Sequence, residues 1–209
     1  VLFFFFFSEF PTQVLEVMRQ PLEDKEVTIS RVQGSVVYPA DIMFVAAMNP
    51  CKCWFYKDRE KQCICNHHDI QRYQQKISGP LLDRFDMIVE VPREKIDIIL
   101  EEHTENKNTE LYTSMEQWRR LQKERYTWLS LDRNSQVDGK YFSKYIQLTP
   151  EAEVFVREYA ERMILSARVV HKICKVARTI ADMEWLEHIS KQHVAEATYY
   201  RGKTMFVTD

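Results

Sequence analysis

Glycine is scarce in this chain: only Gly34, Gly79, Gly139 and Gly202 occur in 209 residues. They cannot supply a G-x-x-x-x-G-K-[ST] loop, whose backbone N–H groups cradle phosphates, so no stretch of the chain is a phosphate loop of that kind. An excess of either charge is also missing. Lys and Arg number 29 against 31 Asp and Glu, a formal net charge of -2. Overall electrostatics therefore do not call for a nucleic-acid partner, which would have to be met by a local patch. No apolar run is long enough to span a bilayer. The most apolar, VLFFFFF at the start, has no basic segment before it, as an export signal would require. These absences lead to the expectation of a cytoplasmic protein with no membrane partner. Internal repeats are absent, as is low complexity beyond Phe3–Phe7. The first residue is Val1 and lies inside an apolar run, which suggests a fragment of a longer protein.

What is present reads as an α/β half followed by an all-helical half. Residues 1–7 form a continuous aromatic run of strand length. PTQVLEVMRQPLE carries Val14, Leu15 and Met18 at helical spacing behind Pro11, a residue suited to a first turn. EVTISRVQGSVVYPA alternates on both sides of Arg31–Gly34 and predicts a hairpin. DIMFVAAMNP predicts a buried strand, LLDRF a helical turn, and MIVEV a further strand. From about residue 95 the strand signals vanish. Four stretches beginning at Glu110, Pro150, Ser166 and Ser190 repeat apolar residues at 3–4 spacing, the pattern of a helical bundle. Between them LSLDRNSQVDGK reads as a linker or loop.

Four of the five cysteines crowd into CKCWFYKDREKQCIC, as Cys51, Cys53, Cys63 and Cys65, with His67 and His68 just behind. Two close pairs of soft ligands suit a tetrahedral zinc, and in an intracellular protein such a cluster is more often a metal site than a disulfide framework. The one-residue spacing within each pair is tighter than the usual two to four. The competing reading is a reduced, exposed loop. A closed set of four thiolates leaves no open position, so a metal here would be structural.

Three stretches together resemble the Mg-chelatase-like branch of the AAA+ ATPases, of the bacterial ComM/YifB type: VMRQPLEDKEVTISRVQGSVVYPADIMFVAAMNPC, ISGPLLDRFDMIVEVP, and LSARVVHKICKVARTIADM followed by HVAEATYYR. The similarity covers nearly the whole chain and is weakest between about 100 and 148. It implies a partial AAA+ (P-loop NTPase) core with an inserted β-hairpin over residues 1–100, and a helical segment with an AAA+ lid domain over 101–209. ATP and Mg²⁺ are the cofactors it implies, and a homo-oligomer, a hexameric ring, is the assembly.

The resemblance also implies roles for single residues. Asn49, at the end of an apolar strand, matches the sensor-1 position, where an amide holds the attacking water or a γ-phosphate oxygen without adding charge. Arg84 matches the arginine finger, whose planar, permanently charged fork suits the spread-out charge of a transferring phosphoryl group in a neighbouring subunit. The alternative for Arg84 is an ion pair with Asp83 or Asp86. Arg168, at the start of a lid helix, matches sensor 2. Arg178, on the same helix and close to the same face, is either a second phosphate contact or a partner for Asp182 at i+4. His171 and Cys174 on that helix read as packing residues. Arg31, near the hairpin tip, is the DNA-contact candidate, equally readable as a solvated charge. WRRLQKER is a denser basic patch that also reads as a solvated helix face.

Phe5 and Phe6 stand where the family places an Asp-Glu pair, the Asp holding Mg²⁺ through water and the Glu orienting the attacking water. A phenyl ring can do neither. The expectation is a fragment of an ATPase that remodels a macromolecule, most plausibly DNA, and is inactive on its own. The alternative is a zinc-stapled interaction or nucleic-acid-binding module without turnover. Metal insertion into a tetrapyrrole ranks last, because nothing in these residues supplies a porphyrin site.

Overall fold

A computed structural model describes residues 1–93, 105–137 and 139–201, and the chain divides into two compact units meeting in sequence at Arg93 and Glu94. The expected boundary at 100/101 lies outside the described residues.

The first unit is mixed α/β. Strand β1 (Leu2–Phe4) pairs in parallel with β4 (Phe44–Ala46), with Leu2 opposite Phe44 and Phe4 opposite Ala46. Between them come α1 (Thr12–Val17), α2 (Arg19–Asp24) and a hairpin of β2 (Glu26–Arg31) and β3 (Gly34–Pro39). Helices α3 (His67–Gln74) and α4 (Gly79–Leu82) follow, capped by Asn66 and Ser78, whose side chains accept from Asp69 N and Leu81 N. The Ser78 cap and Pro80 inside the first turn explain why so short a stretch turns helical.

The phenylalanine run does not form the seven-residue buried strand expected. Alternation sends Phe4 inward, where it meets Phe7, Phe10 and Phe44 at ring-centroid distances of 4.9–6.0 Å. Phe7 is buried and Phe85 closes on it edge-on at 5.8 Å, beside Leu15, Ile77 and Leu81. Phe3 and Phe5 stack on each other on the outer side and are 57% and 67% exposed. Phe6 takes a left-handed conformation, φ 54, and ends the ladder. A buried run needs sheet neighbours on both sides. Among the described residues this sheet has two strands.

The same lack explains MIVEV. Residues 87–91 form no strand, and Met87, Val89 and Val91 are exposed; among the described residues no strand lies beside them to complete a ladder. The DIMFVAAMNP strand is likewise shorter than expected, ending at Ala46. The hairpin, in contrast, is as read: Arg31 pairs with Gly34 across a two-residue turn, and Ser30 and Ser35 hydroxyls meet at 3.0 Å. Almost every residue of both strands is exposed.

The second unit is helical: α5 (Glu105–Arg125), α6 (Gly139–Tyr145), α7 (Pro150–Arg162), α8 (Ala167–Met183) and α9 (Lys191–Tyr199). Thr149, Ser166 and Ser190 cap α7, α8 and α9 by accepting the N–H three residues on. The most buried helix is α8, with Val169, Ile173, Cys174, Ala177 and Ala181 packed against Val194 and Ala197 of α9 and Ala152 of α7. Cys174 is buried and His171 stacks on Phe142 at 4.2 Å, the packing roles expected of both.

Over its described residues LSLDRNSQVDGK forms a loop, with a short helical turn at Asn134–Gln136, as one of its two readings had it. Asn134 within it is buried, accepts from the Tyr126 hydroxyl at 2.7 Å and from Arg125 Nη1 at 3.2 Å, and donates to Asp182 Oδ2 at 2.9 Å. Its polar composition hid one buried anchor, since Asn134 and Val137 lie inside while Ser130, Asp132, Arg133 and Ser135 stay exposed. Among the described residues no helix is long and apolar enough to cross a membrane.

Candidate functional site

Parallel pairing of β1 with β4 sends both strands to the same edge of the sheet. At that carboxyl edge lie Phe5 and Phe6 from β1 and the Ala47–Asn49 segment from β4. The segments are held together by Ala47 N donating to Phe4 O at 2.9 Å and Phe7 N donating to Ala47 O at 2.8 Å. Open α/β sheets bind ligands at this edge. Phe5 and Phe6 present exposed rings there, and Asn49 is half-buried, three residues beyond the end of β4.

Arg84 follows α4. Its Nη1 donates to Pro80 O at 2.7 Å, and its Nη2 pairs with Glu23 of α2. Glu23 was not foreseen; no spacing rule links residues so far apart in sequence. Together with Glu16, Val17, Arg19 and Gln20 they line a shallow depression of about 360 Å³, in which Arg19 also pairs with Glu16 Oε2 at 2.8 Å. Arg31 stands exposed at the end of β2.

The four cysteines converge. Cys51 and Cys53 sulfurs are 3.4 Å apart, Cys53 and Cys63 3.4 Å, Cys51 and Cys63 3.8 Å, and all four, Cys65 included, lie within 4.8 Å of one another. Tetrahedral zinc at Zn–S distances of about 2.3 Å needs sulfurs roughly 3.8 Å apart, so the set fits such an ion. All four are free thiols. The loop between them is largely exposed, while Cys51 is fully buried and the other three cysteines half-buried. His67 and His68 are exposed and lie outside the cluster.

The loop is folded for this purpose by local turns. Trp54 and Lys57 adopt left-handed conformations, φ 74 and 65, and Asp58 Oδ1 accepts from Glu60 N and Lys61 N, both at 2.8 Å. The Phe55 N–H, helped by that of Ile64, hydrogen-bonds the Cys53 sulfur and brings its thiol down to about 6, while desolvation pushes Cys63 up to about 12 and raises Cys65. Backbone N–H groups aimed at sulfur stabilise thiolate charge, which is what a thiolate-bound metal requires.

In the second unit Arg168 is exposed near the N-terminus of α8, whereas Arg178 is buried, 1% exposed, and its guanidinium is spent on Asp182 and on the carbonyls of Leu186 and Glu187. The two arginines do not share a face available to phosphate, and Arg178 is the structural partner of Asp182. Arg125, also unforeseen, makes a two-pronged pair with the same carboxylate, its Nη1 donating to Oδ2 at 2.8 Å.

An α/β unit with a candidate ligand edge, a four-thiol centre and a following helical unit define the class of protein, and comparison with known families identifies it. The chain belongs to the magnesium chelatase family: residues 1–99 match the family described as magnesium chelatase, subunit ChlI, and residues 105–201 match its C-terminal part. It is 34% identical over 206 residues to the competence protein ComM of Haemophilus influenzae, covering 97% of this chain and 39% of that protein. It is 30% identical over 208 residues to the uncharacterized protein YifB of Salmonella typhimurium, with the same coverage of each. The chain thus spans about two fifths of the length of these relatives.

Proposed function

We propose that this chain is the sensor, finger and lid portion of a cytoplasmic AAA+ motor that couples ATP hydrolysis to remodelling of DNA as a homo-oligomeric, hexameric ring. The observation that carries this reading is the shared carboxyl edge of β1 and β4, where Asn49 lies at the place α/β sheets receive nucleotides. ATP and Mg²⁺ would be held largely by residues outside this chain, which has no phosphate loop of its own. Asn49 would orient the attacking water, Arg84 would reach the γ-phosphate of a neighbouring subunit, and Arg168 would couple nucleotide state to the lid. Arg31 would line the ring's channel and meet phosphates without reading sequence. Zinc on Cys51, Cys53, Cys63 and Cys65 would staple the first unit and take no part in hydrolysis.

Arg84 must exchange Glu23 for phosphate to act in this way. Its carbonyl anchor at Pro80 leaves the guanidinium aimed, so the swap is one of partner and not of place. Phe5 and Phe6 favour a second reading, a zinc-stapled binding module without turnover, because neither ring can hold Mg²⁺ or activate water.

Phosphate release by the full natural protein, with and without DNA, separates the two. Turnover that falls about a thousandfold in Arg84→Ala with the ring still assembled supports the motor reading. Turnover unchanged in that variant overturns the finger, and no turnover in the parent protein leaves the binding module.

A further inference from the structure

We propose that the metal held by the four cysteines acts on the nucleotide-facing edge, using α3 as a mount that fixes Asn49 and Ser8 together. The proposal rests on the zinc reading above and adds a positioning role to it. The four sulfurs join two separate segments of chain. Cys51 and Cys53 continue directly from Asn49 and Pro50, and Cys51 is the one cysteine of the cluster that is fully buried. Cys63 and Cys65 lead into α3, whose first turn is fixed by Asn66 Oδ1 accepting from Asp69 N at 2.7 Å and by Ile70 N donating to Asn66 O at 3.1 Å.

The far end of α3 then returns to both strand ends. Gln74, buried, donates from Nε2 to Pro50 O at 2.9 Å. Lys76, just past the helix, donates from Nζ to Ser8 O at 2.9 Å, with its ammonium 5.8 Å from the centre of the buried Tyr73 ring. Ser8 is fully buried and follows the Phe5-Phe6 pair by two residues. One eight-residue helix therefore carries the metal at its start and grips the carbonyls that follow Asn49 and Phe7 at its end. A helix this short does not hold itself in water and takes its order from what it is tied to. Metal loss releases the start of α3, and Gln74 and Lys76 lose the rigid base from which they hold the edge. Gln74 and Lys76 are positioning residues in this scheme.

Hydrogen exchange on the full natural protein, zinc-loaded and after removal of zinc by EDTA, tests the inference, with bound zinc counted by elemental analysis. The expected result is one zinc per chain. On its removal, exchange becomes about tenfold faster or more in residues 67–76, at Ala47, whose N–H is bonded to Phe4 O, and at Phe7, Glu9 and Phe10, while helices 150–199 keep their rates. Gln74→Ala is expected to keep its zinc and to speed exchange at Ala47, whose N–H is bonded to Phe4 O, about fivefold. Acceleration confined to residues 51–66 overturns the mount and leaves zinc as a local staple. A protein that retains no zinc overturns the metal reading itself, and the mount with it. Unchanged exchange at Ala47 in Gln74→Ala, with zinc retained, removes Gln74 from the linkage.

Discussion

Arg178 and Asp182, one turn apart on α8, bury their charges against each other: Nε donates to Oδ1 at 3.1 Å, with the two side chains 1% and 0% exposed. Asp182 also receives Arg125 and the Asn134 amide, and Asn134 hydrogen-bonds Thr179 Oγ1 at 3.0 Å. One carboxylate thus ties α5, the 134–136 turn and α8, while Arg178 reaches on to the carbonyls after α8.

Removing that carboxylate strands two guanidinium groups. Asp182→Ala is expected to cost the helical unit about 3–5 kcal/mol, because a buried cation without its partner is worse than no pair at all. Asp182→Asn, which keeps one accepting oxygen but loses the charge and the second acceptor, is expected to fall between. Urea unfolding followed by far-ultraviolet circular dichroism reads both, and a loss below about 1 kcal/mol for the alanine variant would refute the network's importance.

Phe6 offers a test of opposite sign. Its left-handed backbone, φ 54, is disfavoured for an aromatic residue, and its ring is mostly exposed. Phe6→Gly is expected to stabilise the first unit by about 0.5–1 kcal/mol, since glycine enters this region without a Cβ clash but loses more chain entropy. Phe4→Gly, which empties an aromatic cluster, is expected to destabilise it. Thermal melting of the two variants beside the parent decides the matter.

Burial pushes the Cys174 thiol up to about 12 from an ordinary 9.0. The folded state holds this proton more tightly than the unfolded chain does. Its stabilising contribution is therefore complete below pH 9 and is lost as pH rises from 9 toward 12. Iodoacetamide at neutral pH should leave Cys174 unmodified in the native protein and alkylate it in urea, as peptide mass spectrometry would show. Native labelling of Cys174 at the rate of an exposed thiol would contradict its placement.

Periodicity made the helical half legible: long amphipathic stretches with Ser or Thr caps carry their own instructions. The hairpin was legible too, because alternation on both sides of a tight turn is a local signal. Strands of the first unit were not, since a run such as VLFFFFF has the same letters whether its neighbours are present or absent, and here only Phe4 and Phe7 find a core. The cysteine spacing pointed to a candidate metal set but not to the convergence of its sulfurs, which goes with left-handed turns at Trp54 and Lys57 that no propensity favours. Arg84 was singled out by resemblance, while Glu23 and Gln74, its neighbours in importance, lie far away in sequence from what they hold. The Asp182 cluster escaped for another reason: LSLDRNSQVDGK has the composition of a solvated loop, and only tertiary contacts show Asn134 to be inside.

The ribbon of β2 and β3 has water on both faces, with Ile29, Val36, Val37 and Tyr38 all exposed. Among the described residues neither core cluster includes it, and so the described part of the first unit places few demands on its letters. Its tip and length can therefore change at little risk to folding, so that a hairpin of this kind tolerates substitution where a core strand would not.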